Sequence, residues 1–155
     1  MPFEAVFERI DHALAVAGRY DTVTVLGVTK NHSPEETAKL IDQGIVNIGE
    51  NRVQEAREKF PQLEPRLFVK HLIGPLQQNK ENNTLKLFDV IQTVESLKQA
   101  QRLCTKVDQL LVKKKFFIQI NTAQDDAKHG LRSLAQLGEM VEIFLNSKNA
   151  EFSLD

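Results

Sequence analysis

The chain has 155 residues, 41% hydrophobic and 26% charged, with a net charge of −1, so it is long enough for one core and lacks the low hydrophobicity and high net charge of a disordered chain. Twenty Lys and Arg against 21 Asp and Glu argue against a dedicated nucleic-acid surface, which needs clustered excess positive charge. A single cysteine, Cys104, excludes an intramolecular disulfide framework and a multi-cysteine zinc site, and no apolar run approaches the roughly 18 residues of a membrane span.

The expectation is one cytosolic domain in a reducing compartment, with no leader segment, since the amino terminus carries acidic residues and no apolar signal core. Residues Phe3, Val6, Phe7, Ile10, Leu14 and Ala17 recur at helical spacing, which predicts a helix over 3–18. Short β-branched runs follow at Val23 to Thr29, Ile45 to Ile48, Leu67 to Ile73, Phe88 to Thr93 and Phe116 to Asn121, largely apolar on both faces. Helical stretches separate them, each too long for a hairpin and long enough for a crossover, so the strands are predicted to be parallel. Ser33-Pro34-Glu35-Glu36 reads as an N-cap followed by Pro at the first helical position, and Gly44 as the end of that helix. Ser96 to Leu111 and Leu131 to Asn146 read as amphipathic helices that bury Leu97, Leu103, Val107, Leu110 and Leu134, Leu137, Val141, Phe144. Lys113-Lys114-Lys115 reads as a solvated helix end.

The strand starts are separated by 22, 22, 21 and 28 residues, whereas eight βα units in this length would leave only about 19 residues each. Ala150 to Asp155 reads as the opening of a sixth strand. The predicted class is therefore α/β: a single domain over 1–155 that forms part of a parallel (β/α) barrel, about five to six of eight units.

Lys30 is the sharpest chemical feature. Strand alternation puts Leu26, Val28 and Lys30 on one face, with Lys30 at the carboxyl end, where ligands collect in parallel α/β folds. A primary amine among apolar groups is a candidate Schiff-base anchor; the alternative is a lysine whose stem lies on apolar surface while its ammonium reaches water. Asn47-Ile48-Gly49-Glu50-Asn51 and the stretch from His71 to Lys80 follow the second and third strands, and Asn121-Thr122 with Lys128-His129-Gly130 follows the fifth. These ends would converge on one mouth, where Asn51, Gln77, Asn79 and Lys80 offer donors or acceptors to a small polar ligand. Taken singly, Asn51 could be a helix cap, Lys80 a solvated helix end, His71 a satisfied core histidine and Lys128 a loop charge.

In order along the chain, Gly27-Val28-Thr29-Lys30, Ile48-Gly49-Glu50-Asn51-Arg52-Val53-Gln54-Glu55, His71-Leu72-Ile73-Gly74-Pro75-Leu76-Gln77-Gln78-Asn79-Lys80, Ile91 to Leu97, and Ile118-Gln119-Ile120-Asn121 leading to Lys128-His129-Gly130 resemble the YggS/PROSC-type pyridoxal 5′-phosphate homeostasis proteins. That family is related in fold to the amino-terminal domain of alanine racemase, and the likeness runs from about Ala17 to Gly130. The resemblance implies a TIM-type (β/α) barrel that holds pyridoxal 5′-phosphate as an aldimine on Lys30. It places Asn51 near the cofactor ring, and His71, Lys80 and Lys128 in the same cofactor-binding region. It implies a cytoplasmic carrier or regulator without turnover, monomeric at full length, with PLP-dependent apo-enzymes as possible acceptors. No metal, nucleic acid or membrane partner is implied, and no catalytic residue, because the second acid/base of the racemases comes from another domain.

Two departures stand out. Asn31-His32-Ser33-Pro34 replaces the Thr-Lys-Pro turn that often follows the anchoring lysine. The family continues past the position of Asp155 with a Gly-Leu-Met strand and the seventh and eighth units, which carry the phosphate-binding backbone donors and the arginine that faces the pyridine nitrogen. The resemblance therefore implies weaker retention of the cofactor by these 155 residues than by a full-length relative. Two other functions remain open: a non-binding fragment or interaction module, and an amino-acid enzyme. Turnover of an amino acid with added cofactor would distinguish the latter.

Overall fold

The computed structural model describes residues 4–153; Phe3, expected in the first helical stripe, and the last two residues of the expected sixth strand lie outside them. The chain begins with α1 (Glu4–Ala17) and then alternates β1 (Leu26–Val28), α2 (Pro34–Asp42), β2 (Asn47–Glu50), α3 (Val53–Lys59), β3 (Val69–Leu72), α4 (Glu81–Leu87), β4 (Val90–Val94), α5 (Leu97–Leu110), β5 (Lys114–Ile118), α6 (Leu134–Leu145) and β6 (Ala150–Ser153). All strand pairs are parallel, and the sheet order is β1-β2-β3-β4-β5-β6, with β1 and β6 at its edges. Each helix from α2 to α6 is thus a crossover between neighbouring strands, as the connection lengths require, while α1 precedes the sheet.

Period-two alternation divides the strands between two environments. Ile48, Leu72, Ile91 and Phe116 are fully buried beneath the helices. Leu26, Asn47, Val69, His71, Val90, Gln92, Lys115 and Phe117 instead line a cavity of about 870 Å³ on the other face. The expectation of strands apolar on both faces holds only on the helix side; the cavity side mixes apolar with polar side chains. Two aromatic groups lock the helices down. Phe60 meets Phe68 and Phe88 edge to face at 5.4 and 5.7 Å, and Phe144 of α6 stacks between Phe116 and Phe152 at 5.3 and 5.8 Å.

The helix boundaries follow capping chemistry. Ser33 caps α2 through a complete capping box: the Glu36 N–H donates to its Oγ, and the Ser33 N–H donates to the Glu36 carboxylate. At the other end Gly44, at φ 92°, donates to Ile41 O while Ile45 N donates to Leu40 O, a Schellman ending. That ending explains why β2 begins two residues later than the apolar run: Ile45 is spent on the cap and is buried against Gly27. Leu111, at φ 54°, ends α5, so Lys114 and Lys115 open β5 and are not a helix end. The Lys115 N–H donates to Asp89 O, and its Nζ lies 5.3 Å from the Phe117 ring.

Three burial expectations fail. Leu134 is 86% exposed and Leu110 is exposed, because they sit at the first and last positions of α6 and α5, beyond the sheet. None of the described residues of α1 is fully buried; the helix lies beside edge strand β1, where Val6 borders a groove with Leu26, Gly27 and Val28.

Candidate functional site

Lys30 follows β1 in a tight turn. The His32 N–H donates to Thr29 O, which places Lys30 and Asn31 at the turn's two central positions, and Asn31 has φ 63°. A turn with positive φ at its third residue favours Gly or Asn, so the asparagine suits its place. Thr29 is fully buried and faces the helices, whereas Lys30 is exposed in the turn just past Val28, which is itself 46% exposed. The sequence reading of an amine among apolar groups is therefore corrected: the Lys30 side chain stands at an open mouth.

The turn is tied from below by groups the sequence reading did not single out. Glu50, the last residue of β2, is fully buried; its Oε1 accepts hydrogen bonds from Thr29 Oγ1 and Lys59 Nζ, both at 2.6 Å. Lys59, the last residue of α3 and 4% exposed, also donates to Thr29 O at 2.7 Å and to Glu55 Oε1 at 3.1 Å. Glu55 Oε1 in turn accepts the Asn31 N–H at 2.6 Å. Burial disfavours the charged form of Glu55, yet the Asn31 N–H and Lys59 outweigh it and hold the carboxyl below its ordinary range. The available signal was the Glu55–Lys59 spacing of four on a helix, immediately after the Gly-Glu-Asn stretch.

The neighbouring loops are pinned to one another. Gly74 presses on the loop after β2 so closely that a Cβ there would lie 2.1 Å from Asn51 O, and Gly74 O accepts from Thr93 Oγ1 at 2.8 Å. Thr93 lies where the β4–β5 register slips, a bulge that re-aims the end of β4. After β5, the Asn121 Nδ2 donates to Asp125 O and Lys128 O, closing the loop that carries Lys128 and His129. His129 comes within 3.5 Å of Glu95, linking that loop to the end of β4. Gly130, at φ 122°, lets the chain return beside Gln119 and Asn121.

Lys30, Asn51, Lys80 and Lys128 all lie beyond the carboxyl ends of strands, after β1, β2, β3 and β5. Asn51 is half-buried and is not a helix cap, since Arg52 holds that position in α3. Lys80 is exposed at the start of α4, and Lys128 is exposed with Asp125 at 3.8 Å. His71 stands apart from them, inside β3. Its Nε2 meets Asn47 Oδ1 at 3.0 Å and its Nδ1 meets Gln92 Nε2 at 3.1 Å, partners that fit a neutral ring. Burial, aided by the positive charge of Lys115 and opposed by Asp89, pushes its pKa down. The ends of four strands in one parallel sheet are thus followed by an exposed primary amine, an amide and two further exposed lysines.

The chain matches the alanine racemase N-terminal domain over residues 4–154. A pyridoxal phosphate homeostasis protein of Escherichia coli is 34% identical over 140 residues, covering 88% of this chain and 59% of that protein. Its counterpart in Helicobacter pylori is 31% identical over 129 residues, 83% of this chain and 58% of that protein. The chain thus spans a little under three fifths of these curated relatives. PipY of Synechococcus elongatus superposes with TM-scores of 0.77 without PLP and 0.74 with PLP bound, at 28% and 27% identity, over 92% of this chain and 66% of PipY. Alanine racemase of Clostridium difficile, 18% identical, superposes with a TM-score of 0.72 over 86% of this chain and 35% of that one, which speaks to the fold alone. The six parallel strands are those of an incomplete alanine racemase-type barrel, and the chain belongs to the alanine racemase N-terminal domain family.

Proposed function

We propose that this chain binds pyridoxal 5′-phosphate covalently through Lys30 and serves in cofactor homeostasis. One observation carries the reading: Lys30 presents an exposed amine just past the carboxyl end of β1, from a turn whose flanking residues are both hydrogen-bonded to buried or half-buried side chains. The names of the E. coli and H. pylori relatives, and the PLP bound to PipY, point the same way. When bound, the cofactor supplies an aldehyde carbon to which a neutral primary amine adds with loss of one water, giving a C=N linkage.

The chain's own residues divide the remaining work. Lys30 supplies the amine, and Asn51, just past the carboxyl end of β2, is assigned to the cofactor ring on the resemblance. Lys80 and Lys128 add positive charge to the rim that faces a dianionic ligand. His71, neutral and bonded on both ring nitrogens, lines the cavity beneath. A carrier role without turnover, PLP-dependent apo-enzymes as acceptors, a monomeric state and a cytoplasmic location belong to the same proposal and rest on the resemblance; no described helix is long and apolar enough to cross a membrane.

The test is a spectroscopic titration of the chain and of Lys30→Ala with pyridoxal 5′-phosphate. A saturable change in cofactor absorbance for the parent, lost in the variant, is expected. Equal spectra for the two would remove Lys30 from the reading.

A further inference from the structure

We infer that Glu50, Lys59 and Glu55 form a clamp whose role is to position the Lys30 amine, with Glu55 acting through the Asn31 N–H. The inference rests on the Lys30 reading above and deepens it. A plain staple between α3 and β2 would need only the Lys59–Glu50 pair. Here the contacts go further and fall on the two residues that flank Lys30. Lys59 Nζ holds Thr29 O, Glu50 Oε1 holds Thr29 Oγ1, and Glu55 Oε1 holds the Asn31 N–H. Asn31 is also the residue with positive φ, a conformation that persists where surrounding groups over-determine it. The backbone on both sides of Lys30 is therefore fixed, before it to the buried Lys59 and Glu50 and after it to the partly exposed Glu55, and the Lys30 side chain alone is left to reach the mouth. None of the three clamp residues needs to touch a ligand; they are positioning residues. Precise orientation of a reacting group is worth orders of magnitude in rate, and a shift of about 1 Å can remove about a hundredfold.

Glu55 gives the sharpest test because it is partly exposed and its loss leaves the Lys59–Glu50 pair intact. Glu55→Gln keeps an oxygen that can accept the Asn31 N–H but loses the charge; Glu55→Ala loses both. Asp108→Ala serves as a destabilised control, since Asp108 ties the loop before β6 to the end of α5, away from Lys30. The parent 155-residue chain and the three variants are incubated with pyridoxal 5′-phosphate and reduced with borohydride. Trapping at Lys30 is quantified by peptide mass mapping, and amide hydrogen exchange at Asn31 is followed without ligand.

Glu55→Ala should lower the rate of trapping at Lys30 by about tenfold or more and raise Asn31 exchange by a similar factor. Glu55→Gln should stay near the parent in both, and Asp108→Ala should change neither. Parent-like trapping in Glu55→Ala, equal losses in the Ala and Gln variants, or an equal loss in Asp108→Ala would each overturn the positioning role while leaving Lys30 as the anchor. A parent chain that is not trapped at Lys30 at all would overturn the functional reading, and this inference with it.

Discussion

Lys59 Nζ lies 2.7 Å from the carbonyl oxygen of Thr29, thirty residues earlier in the chain, so the end of α3 holds the residue that precedes Lys30. Both partners are buried, and the ammonium is shared with Glu50 at 2.6 Å. Removing one member of such a pair leaves an uncompensated buried charge. Lys59→Ala should therefore destabilise the chain by about 3–5 kcal/mol in urea unfolding. Replacing both partners, as Glu50→Gln with Lys59→Met, should cost less than Lys59→Ala alone. A loss under about 1 kcal/mol for Lys59→Ala would mean that the pair is not desolvated as described.

Two glycines give opposite expectations for the same substitution. At Gly74 an added Cβ would lie 2.1 Å from Asn51 O, a backbone atom that cannot rotate away. Gly74→Ala should therefore force apart the loops after β2 and β3, lowering the unfolding midpoint and changing the environment of Asn51. At Gly138, inside α6, nothing lies within 4 Å. Gly138→Ala should stabilise by about 0.5–1 kcal/mol, since alanine loses less backbone entropy in a helix. Parallel thermal unfolding of the two variants checks both signs.

Acid should weaken the fold through His71 before it reaches the carboxylates. Burial holds the His71 pKa below 6.5 in the folded chain, so from pH 6.5 down to that lowered value the unfolded chain binds more protons. The stability contributed by the neutral ring is complete above pH 6.5 and is lost as pH falls through the folded pKa. Glu55, held below 4.5, adds a second loss at more acid pH. Urea midpoints measured from pH 7.5 to 5 should fall for the parent and fall less steeply for His71→Gln. Parallel slopes would show that another group titrates in that window.

At the far end of α5, Asp108 Oδ1 accepts from Ser147 Oγ, Lys148 N, Asn149 N and Asn149 Nδ2 at 3.0–3.1 Å. This single carboxylate shapes the turn that feeds β6. Asp108→Ala should cost about 1–3 kcal/mol, by leaving those donors without their partner. Hydrogen exchange should quicken first in Ala150–Ser153, and uniform acceleration across the sheet would contradict this local role.

How much of this was legible beforehand depends on the range of the interaction. The parallel order of the strands followed from connection lengths, and the start of α2 followed from Ser33 and Glu36, because both are local in sequence. Boundaries failed where one residue had two uses: Ile45 has the composition of a strand residue but serves the Schellman ending of α2. Burial failed at Leu134 because helical spacing identifies a stripe but not how far the sheet beneath it extends. At the site, Lys30 stood out because strand alternation and a carboxyl-end position can be read from a single segment. Lys59 did not, because its meaning lies in Thr29 and Glu50, which only the fold brings to it.

The most direct test of the central claim is borohydride reduction of the cofactor-loaded 155-residue chain, followed by peptide mass mapping across all its lysines. The account predicts one dominant pyridoxyl adduct, on the peptide that contains Lys30, lost in Lys30→Ala without transfer to Lys80 or Lys128. No adduct at Lys30, or labelling spread evenly over exposed lysines, would contradict it.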